Sequence, residues 1–380
     1  MTPAARISAA IEVLDRILAG HPVEPSLVNW GRAHRFAGSG DRAAMRDLVF
    51  DALRCRSSYA ALGGGLTGRG LMLGAVRAQG VDPATLFTGI GHAPAPATEP
   101  QRLPEGHEAL DCPEWLAPRL QDSLGKDFAP VMRAMQARAP VFLRVNLART
   151  AVSAAQALLA ADGVETRPHP LAATALDVTG GARRIQTATA YVDGLVELQD
   201  AGSQAVVAAL PDLAGRRVLD LCAGGGGKTL AMAALGARVV AHDADPARMR
   251  DLPARAARAR VAVKVTDSPE NAAPYDLILT DVPCSGSGSW RRDPAGKWAL
   301  TAPRLTELLA VQAVILDRAA PMVAPGGCLA YATCSLLADE NQRQIDAFVH
   351  RTPGWRRDRD HHFTPLQGGD GFFLAILTRI

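Results

Sequence analysis

The sequence predicts an α/β protein: an open sheet with crossover helices in the C-terminal half, a small α+β unit before it, and an all-helical N-terminal region. Three observations predict this. From Gln199 onward, short apolar runs alternate with helical stretches, the pattern of strands joined by helices in one sheet. One of those runs, Arg217-Val-Leu-Asp-Leu-Cys222, leads directly into Ala223-Gly-Gly-Gly-Gly-Lys-Thr229 and then a helix, Leu230 to Leu235. From Thr2 to about Leu73, by contrast, the apolar spacing is helical and strand signals are scarce.

Taken in order, Ile7, Ile11, Leu14, Ile17 and Leu18 form one helical stripe, and Met45, Leu48, Val49, Ala52 and Leu53 a second. Residues 89–113 carry Gly89, Gly91, Pro94, Pro96, Pro100 and Pro104, which suits a linker or an extended surface segment. Val141 to Val145 reads as a strand, Ala151 to Ala161 as a helix, and Ala175 to Val178 as another strand. At 380 residues the chain is too long for one ordinary core, so the expected domains are 1–125 helical, 126–198 small α+β, and 199–380 the large sheet.

With 48% hydrophobic and 21% charged residues the composition is that of a soluble globular chain. No apolar run approaches the roughly 18–20 residues that span a bilayer. Met1 to Leu18 interleaves charges with its apolar positions, so it reads as a helix and not as a signal peptide. A cytoplasmic monomer without a membrane partner is the expectation. The net charge of +3 neither demands nor excludes a nucleic acid, and the only lysines are Lys126, Lys228, Lys264 and Lys297. The six cysteines, Cys55, Cys112, Cys222, Cys284, Cys328 and Cys334, form neither a disulfide framework nor CxxC pairs, so no metal site is expected.

The chemistry concentrates at strand ends. Four glycines at a strand-to-helix turn let the backbone approach a ligand and expose amides at a helix N-terminus. The turn is not a P-loop, because Cys222 stands where the first glycine would be needed. Nor is it a dinucleotide fingerprint, because Thr229 replaces the third glycine. The next strands, Arg238 to Asp243, Ala262 to Asp267 and Tyr275 to Asp281, each end in an acid, placed to meet a nucleoside at the carboxyl edge of the sheet. Val282-Pro-Cys284 follows the third of them, and a further strand, Gly327 to Cys334, also ends in a cysteine. Cys284 and Cys334 are thus expected at one edge, while Cys55, Cys112 and Cys328 are assigned to packing.

These motifs resemble the Sun/Fmu-type RNA cytosine-5 methyltransferases. The resemblance rests on Asp220-Leu-Cys-Ala-Gly-Gly-Gly-Gly-Lys-Thr229, Asp281-Val-Pro-Cys-Ser-Gly-Ser-Gly288 with Arg291-Arg-Asp-Pro294, and Tyr331-Ala-Thr-Cys-Ser335 with Glu340-Asn341. Leu198 to Gln204 and Gly369 to Phe373 match as well, so the resemblance covers about Pro140 to the C-terminus. The family usually carries Ala-Pro where this chain has Gly224-Gly225. Residues 1–125 are similar, chiefly through Asp41 to Arg54, to the family's NusB-like RNA-binding domain.

The resemblance implies a Rossmann-like methyltransferase sheet with S-adenosylmethionine as cofactor. Cys222, Ala223, Gly224, Gly225, Gly226, Gly227 and Lys228 would hold its methionine part, Asp243 its ribose and Asp267 its adenine side, with Asp281 between cofactor and base. Cys334 would be the nucleophile and Cys284 the residue that helps release product. Carbon 5 of cytosine becomes nucleophilic once a thiolate has added at carbon 6, which is why such an enzyme uses thiols. Arg291, Arg292, Lys297 and Trp298 are expected to hold phosphate and stack on a base of the RNA. Small-subunit rRNA is the expected substrate, with tRNA, or a non-catalytic RNA-binding module, as alternatives.

Overall fold

Helices account for the regular structure of the first 138 residues because apolar side chains recur there every three or four positions. The computed structural model describes all residues, Met1–Ile380, and divides into a helical unit, 1–138 with 290–299, and an α/β unit, 139–289 with 300–380. In the helical unit the main helices are Pro3–Leu18, Val23–Ala33, Ser39–Arg54, Arg56–Gly63 and Gly68–Ala78. Their core joins Val13, Leu14, Val49, Leu71, Met72 and Phe87. Helices Arg56–Gly63 and Gly68–Ala78 cross at backbone distance: a Cβ on Gly74 would lie 1.9 Å from the carbonyl oxygen of Tyr59, so only glycine fits. Asp111, fully buried, accepts from the amides of Ser57 (2.8 Å) and Ser58 (2.9 Å) and so satisfies the first turn of one of those helices.

The Pro- and Gly-rich segment is not a spacer between domains. It straps the helical unit, with the Arg69 guanidinium bonded to the carbonyls of Ala95 and Pro96 and Arg77 to that of Glu99. The helical unit also runs further than residue 125, to Arg138, and takes in residues 290–299, which a linear reading assigns to the sheet domain.

The α/β unit contains two sheets. Strands β1 (Phe142–Val145), β2 (Glu165–Pro168), β3 (Ala175–Gly180) and β4 (Val196–Leu198) form a small antiparallel sheet in the order β2-β3-β1-β4. The large sheet contains β5 (Arg217–Asp220), β6 (Arg238–Ala241), β7 (Val263–Val265), β8 (Tyr275–Asp281), β9 (Val323–Thr333), β10 (Trp355–Phe363) and β11 (Phe372–Arg379). Their order is β10-β11-β9-β8-β5-β6-β7, parallel from β9 to β7, with β10 and β11 antiparallel. This is the Rossmann-like arrangement. Central strands carry apolar side chains on both faces, as in Leu277-Ile278-Leu279, because helices cover each side. Strands β5, β6 and β7 each end two positions before Cys222, Asp243 and Asp267, which therefore stand on the connections just beyond the sheet. No helix is long and apolar enough to cross a membrane.

Candidate active site

The site is built at the carboxyl edge of the five parallel strands. Asp281, the last residue of β8, is level with Ala332 of β9. That register carries the loop bearing Cys284 alongside Cys334, and the two sulfur atoms lie 3.3 Å apart. Both thiols are half-buried. At that distance one thiol donates to the other. The hydrogen bond from Cys284 lowers the pKa of Cys334 below the usual thiol value, with the Lys228 charge and the Ser289 hydroxyl acting in the same direction against burial and Asp281. Cys284 moves the other way, well above the usual value, first because of its bond to Cys334 and then through burial. The two shifts run in opposite directions, Cys334 toward the thiolate and Cys284 toward the thiol.

Lys228 is buried and its charge acts on Cys334. Its Nζ donates to Oδ2 of Asp281 at 2.7 Å and stands 4.9 Å from the centre of the Phe372 ring. Burial works against its charge, yet the Asp281 carboxylate outweighs it and the pKa lies above that of an ordinary lysine. A fixed cation thus sits beside both the acid and the ionising thiol. Asp220, at the tip of β5, accepts from the Thr229 hydroxyl at 2.6 Å, and burial pushes its carboxyl up to about 7. It ties the strand to the helix that follows the glycines.

The Gly-rich turn has backbone that a ligand can approach closely. Gly224 (φ +50°) and Gly226 (φ +82°) adopt left-handed backbone, and a Cβ on Gly226 would meet Leu252 Cδ1 at 2.3 Å. The carbonyl of Gly227 accepts from Arg144 Nη1 at 2.6 Å, and the carbonyl of Gly225 from Arg255. With those carbonyls engaged from outside, the turn presents amides, and the first turn of helix Gly227–Ala234 has no intrahelical acceptor for them. Asp243, 4% exposed, accepts from the Gly224 amide at 2.8 Å and from Arg248 at 3.2 Å. A ribose diol in this position would take the place of the Arg248 guanidinium, whose side chain is 56% exposed. Asp267 lies exposed beyond β7, and burial raises the Cys222 thiol, which stays neutral.

Three contributors were not apparent from the sequence. Arg144 comes from the small sheet, where it is 5% exposed and also bonds Gln199 Oε1 at 2.7 Å; burial pushes its pKa down to about 10. Arg255 lies on helix Leu252–Ala259. Glu340, visible in the sequence only as part of a motif, is fully buried beside the cysteine loops. The four residues expected to hold RNA do not form a surface set, which corrects that expectation. Lys297 is 1% exposed with its Nζ on the Arg54 carbonyl at 3.0 Å, and Arg291 is 4% exposed. The Trp298 ring nitrogen donates to the Leu53 carbonyl at 2.7 Å, leaving Arg292 as the exposed one. The reason is local packing: helix Pro294–Ala299 lies against helix Ser39–Arg54 inside the helical unit.

Comparison with known proteins bears on this geometry. Residues 207–377 match the family described as 16S rRNA methyltransferase RsmB/F, and residues 112–183 its ferredoxin-like domain. The chain is 35% identical over 284 residues to ribosomal RNA small subunit methyltransferase B of Salmonella arizonae, covering 70% of this chain and 66% of that one. It is 33% identical over 296 residues to the protein of that name from Erwinia tasmaniensis, covering 73% and 69%. The match thus spans about two thirds of the length of these relatives. The crystal structure of PH0851 superposes with a TM-score of 0.79 at 24% identity over 99% of each chain, which shows the shared fold. From the extent of these identities and the two family matches, the chain belongs to the 16S rRNA methyltransferase RsmB/F family, with S-adenosylmethionine as its cofactor.

Proposed function

We propose that this protein methylates carbon 5 of a cytosine in small-subunit rRNA through a covalent adduct with Cys334. The observation that carries the reading is the polarised thiol pair, 3.3 Å apart, beside the Lys228–Asp281 ion pair. When bound, S-adenosylmethionine supplies the methyl group that carbon 5 takes up. Cys334, ionised next to Lys228, adds through its sulfur to carbon 6 of the base and makes carbon 5 enamine-like. In this reading Asp281 accepts from the exocyclic amine of the cytosine while Lys228, bonded to its Oδ2 at 2.7 Å, holds its orientation. Loss of the carbon 5 proton to solvent and expulsion of the Cys334 sulfur then restore the aromatic ring. Cys284 assists that expulsion, because its sulfur lies within hydrogen-bond reach of the sulfur that must leave as thiolate. The target base has to leave its stack to reach this edge.

The test is a pair of variants incubated with S-adenosylmethionine and 16S rRNA transcripts. Cys284→Ala should accumulate a protein–RNA adduct on a denaturing gel, whereas Cys334→Ala should give neither adduct nor methylated product. The reverse pattern would exchange the two roles, and methylation by a Cys334→Ala protein would end the covalent reading. Bisulfite sequencing of the product locates the cytosine.

A further inference from the structure

Each of the two cysteines is bracketed by residues that a single buried motif, Glu340-Asn341, holds in place. Glu340 is fully buried and Asn341 is 3% exposed. On the Cys284 side, Glu340 Oε1 accepts from the Ser285 amide at 2.8 Å and Oε2 from the Ser285 hydroxyl at 2.5 Å. Gln312 joins Glu340 Oε1 (3.0 Å) to the carbonyl of Pro283 (3.0 Å), so both neighbours of Cys284 are fixed. On the Cys334 side, Glu340 Oε2 accepts from the Ser335 hydroxyl at 2.5 Å. Asn341 accepts from the Thr333 hydroxyl at 2.6 Å and donates to the Ser335 carbonyl at 2.9 Å.

A buried carboxylate is costly unless its oxygens are filled. Here four donors fill them, and they come from three separate stretches of chain. Neither Glu340 nor Asn341 is bonded to a sulfur. We propose that Glu340 is the positioning residue of the thiol pair: it locks the Pro-Cys loop to the Thr-Cys strand end and sets the 3.3 Å separation of the two sulfur atoms. The inference rests on the two-thiol reading above. A main-chain shift of about 1 Å at either loop would break the bond between the thiols and misplace the nucleophile, a displacement able to cost on the order of 100-fold in rate.

The clearest readout needs no methyl transfer. Two thiols at this distance close to a disulfide with an azo oxidant such as diamide: the pair gives up two protons and two electrons, and the azo group becomes a hydrazine. Peptide mapping follows the Cys284–Cys334 disulfide. In Glu340→Ala its rate of formation should fall roughly 100-fold with that of methylation, while the S-adenosylmethionine Kd moves less than about twofold. Glu340→Gln keeps an acceptor for the Ser285 amide but leaves the two serine hydroxyls without their shared acceptor, so it should be intermediate. An unchanged disulfide rate in a folded Glu340→Ala protein overturns the proposal. So does a loss of cofactor affinity as large as the loss of rate, which marks a purely structural role. Should Glu340→Ala not fold, Glu340→Gln and Ser335→Ala replace it: both must slow the disulfide, and normal rates in both overturn the idea. Absence of methylation by the unaltered protein would defeat the two-thiol reading but leave this oxidation result interpretable.

Discussion

Two thiols 3.3 Å apart do not titrate independently, and what surrounds them decides which sulfur holds the charge. Cys334 has Lys228 and Ser289 on its side, whereas Cys284 feels burial and the Glu340 carboxylate. Lys228→Met removes the cation and leaves Asp281 unpaired. Because the reactive form of Cys334 is the thiolate, activity rises as pH increases through its pKa. Losing the cation should therefore move that rising limb to higher pH, by about one unit. Single-turnover adduct formation measured across the pH range checks this. A limb that stays in place would show that the thiol owes its acidity to Cys284 alone.

At the scale of elements, the Gly-rich turn proposed to hold the cofactor is braced by guanidinium groups from outside it. Arg144 reaches from β1 to the Gly227 carbonyl, and Arg255 from helix Leu252–Ala259 to that of Gly225. Arg255 is anchored in turn by Glu197 of β4 at 3.5 Å, so the small sheet braces the turn through both arginines. Arg144→Met keeps the packing volume but removes one charge-assisted bond to a turn carbonyl. The S-adenosylmethionine Kd should rise about tenfold, the scale of one such bond, as titration calorimetry would show. The glycines were legible in the sequence because they adjoin a strand. Their braces were not, since Arg144 and Gly227 are 83 positions apart and the residue pattern of a strand does not name its distant partners.

At the scale of the whole molecule, the chain leaves the α/β unit after Ser289, belongs to the helical unit for ten residues, and rejoins the α/β unit at Leu300. Lys297 lies in that segment, in the last turn of helix Pro294–Ala299. Burial pushes its pKa down to about 8 from the ordinary 10.5. The folded protein therefore binds fewer protons than the unfolded chain between those values, and stability rises with pH across that window. Below pH 8 the protein carries the cost of a buried cation. Lys297→Met should raise the melting temperature at pH 7 by roughly a few degrees and abolish the rise relative to the parent between pH 8 and 10. Thermal melts at several pH values measure both effects. Parallel curves would mean that Trp298 and the Arg54 carbonyl compensate the charge fully.

The sequence alone determined the α/β class, the strand order of the chemistry along the chain, and the arrival of Asp243, Asp281, Cys284 and Cys334 at one edge. These depend on short-range facts: apolar runs of strand length, glycines at a turn, and the rule that ligands meet parallel strands at their carboxyl ends. Tertiary structure decided the rest. It set the register that brings the two sulfur atoms together and recruited Glu340 and Arg144 across 55 and 83 positions. It also drew Lys297 from a prospective RNA surface into a core 243 positions away in sequence. The physical reason is the same in each case. Local periodicity encodes which face of an element is apolar, but the partner of a buried polar group is chosen by packing between segments distant in sequence, where a desolvated donor or acceptor left unpaired is costly.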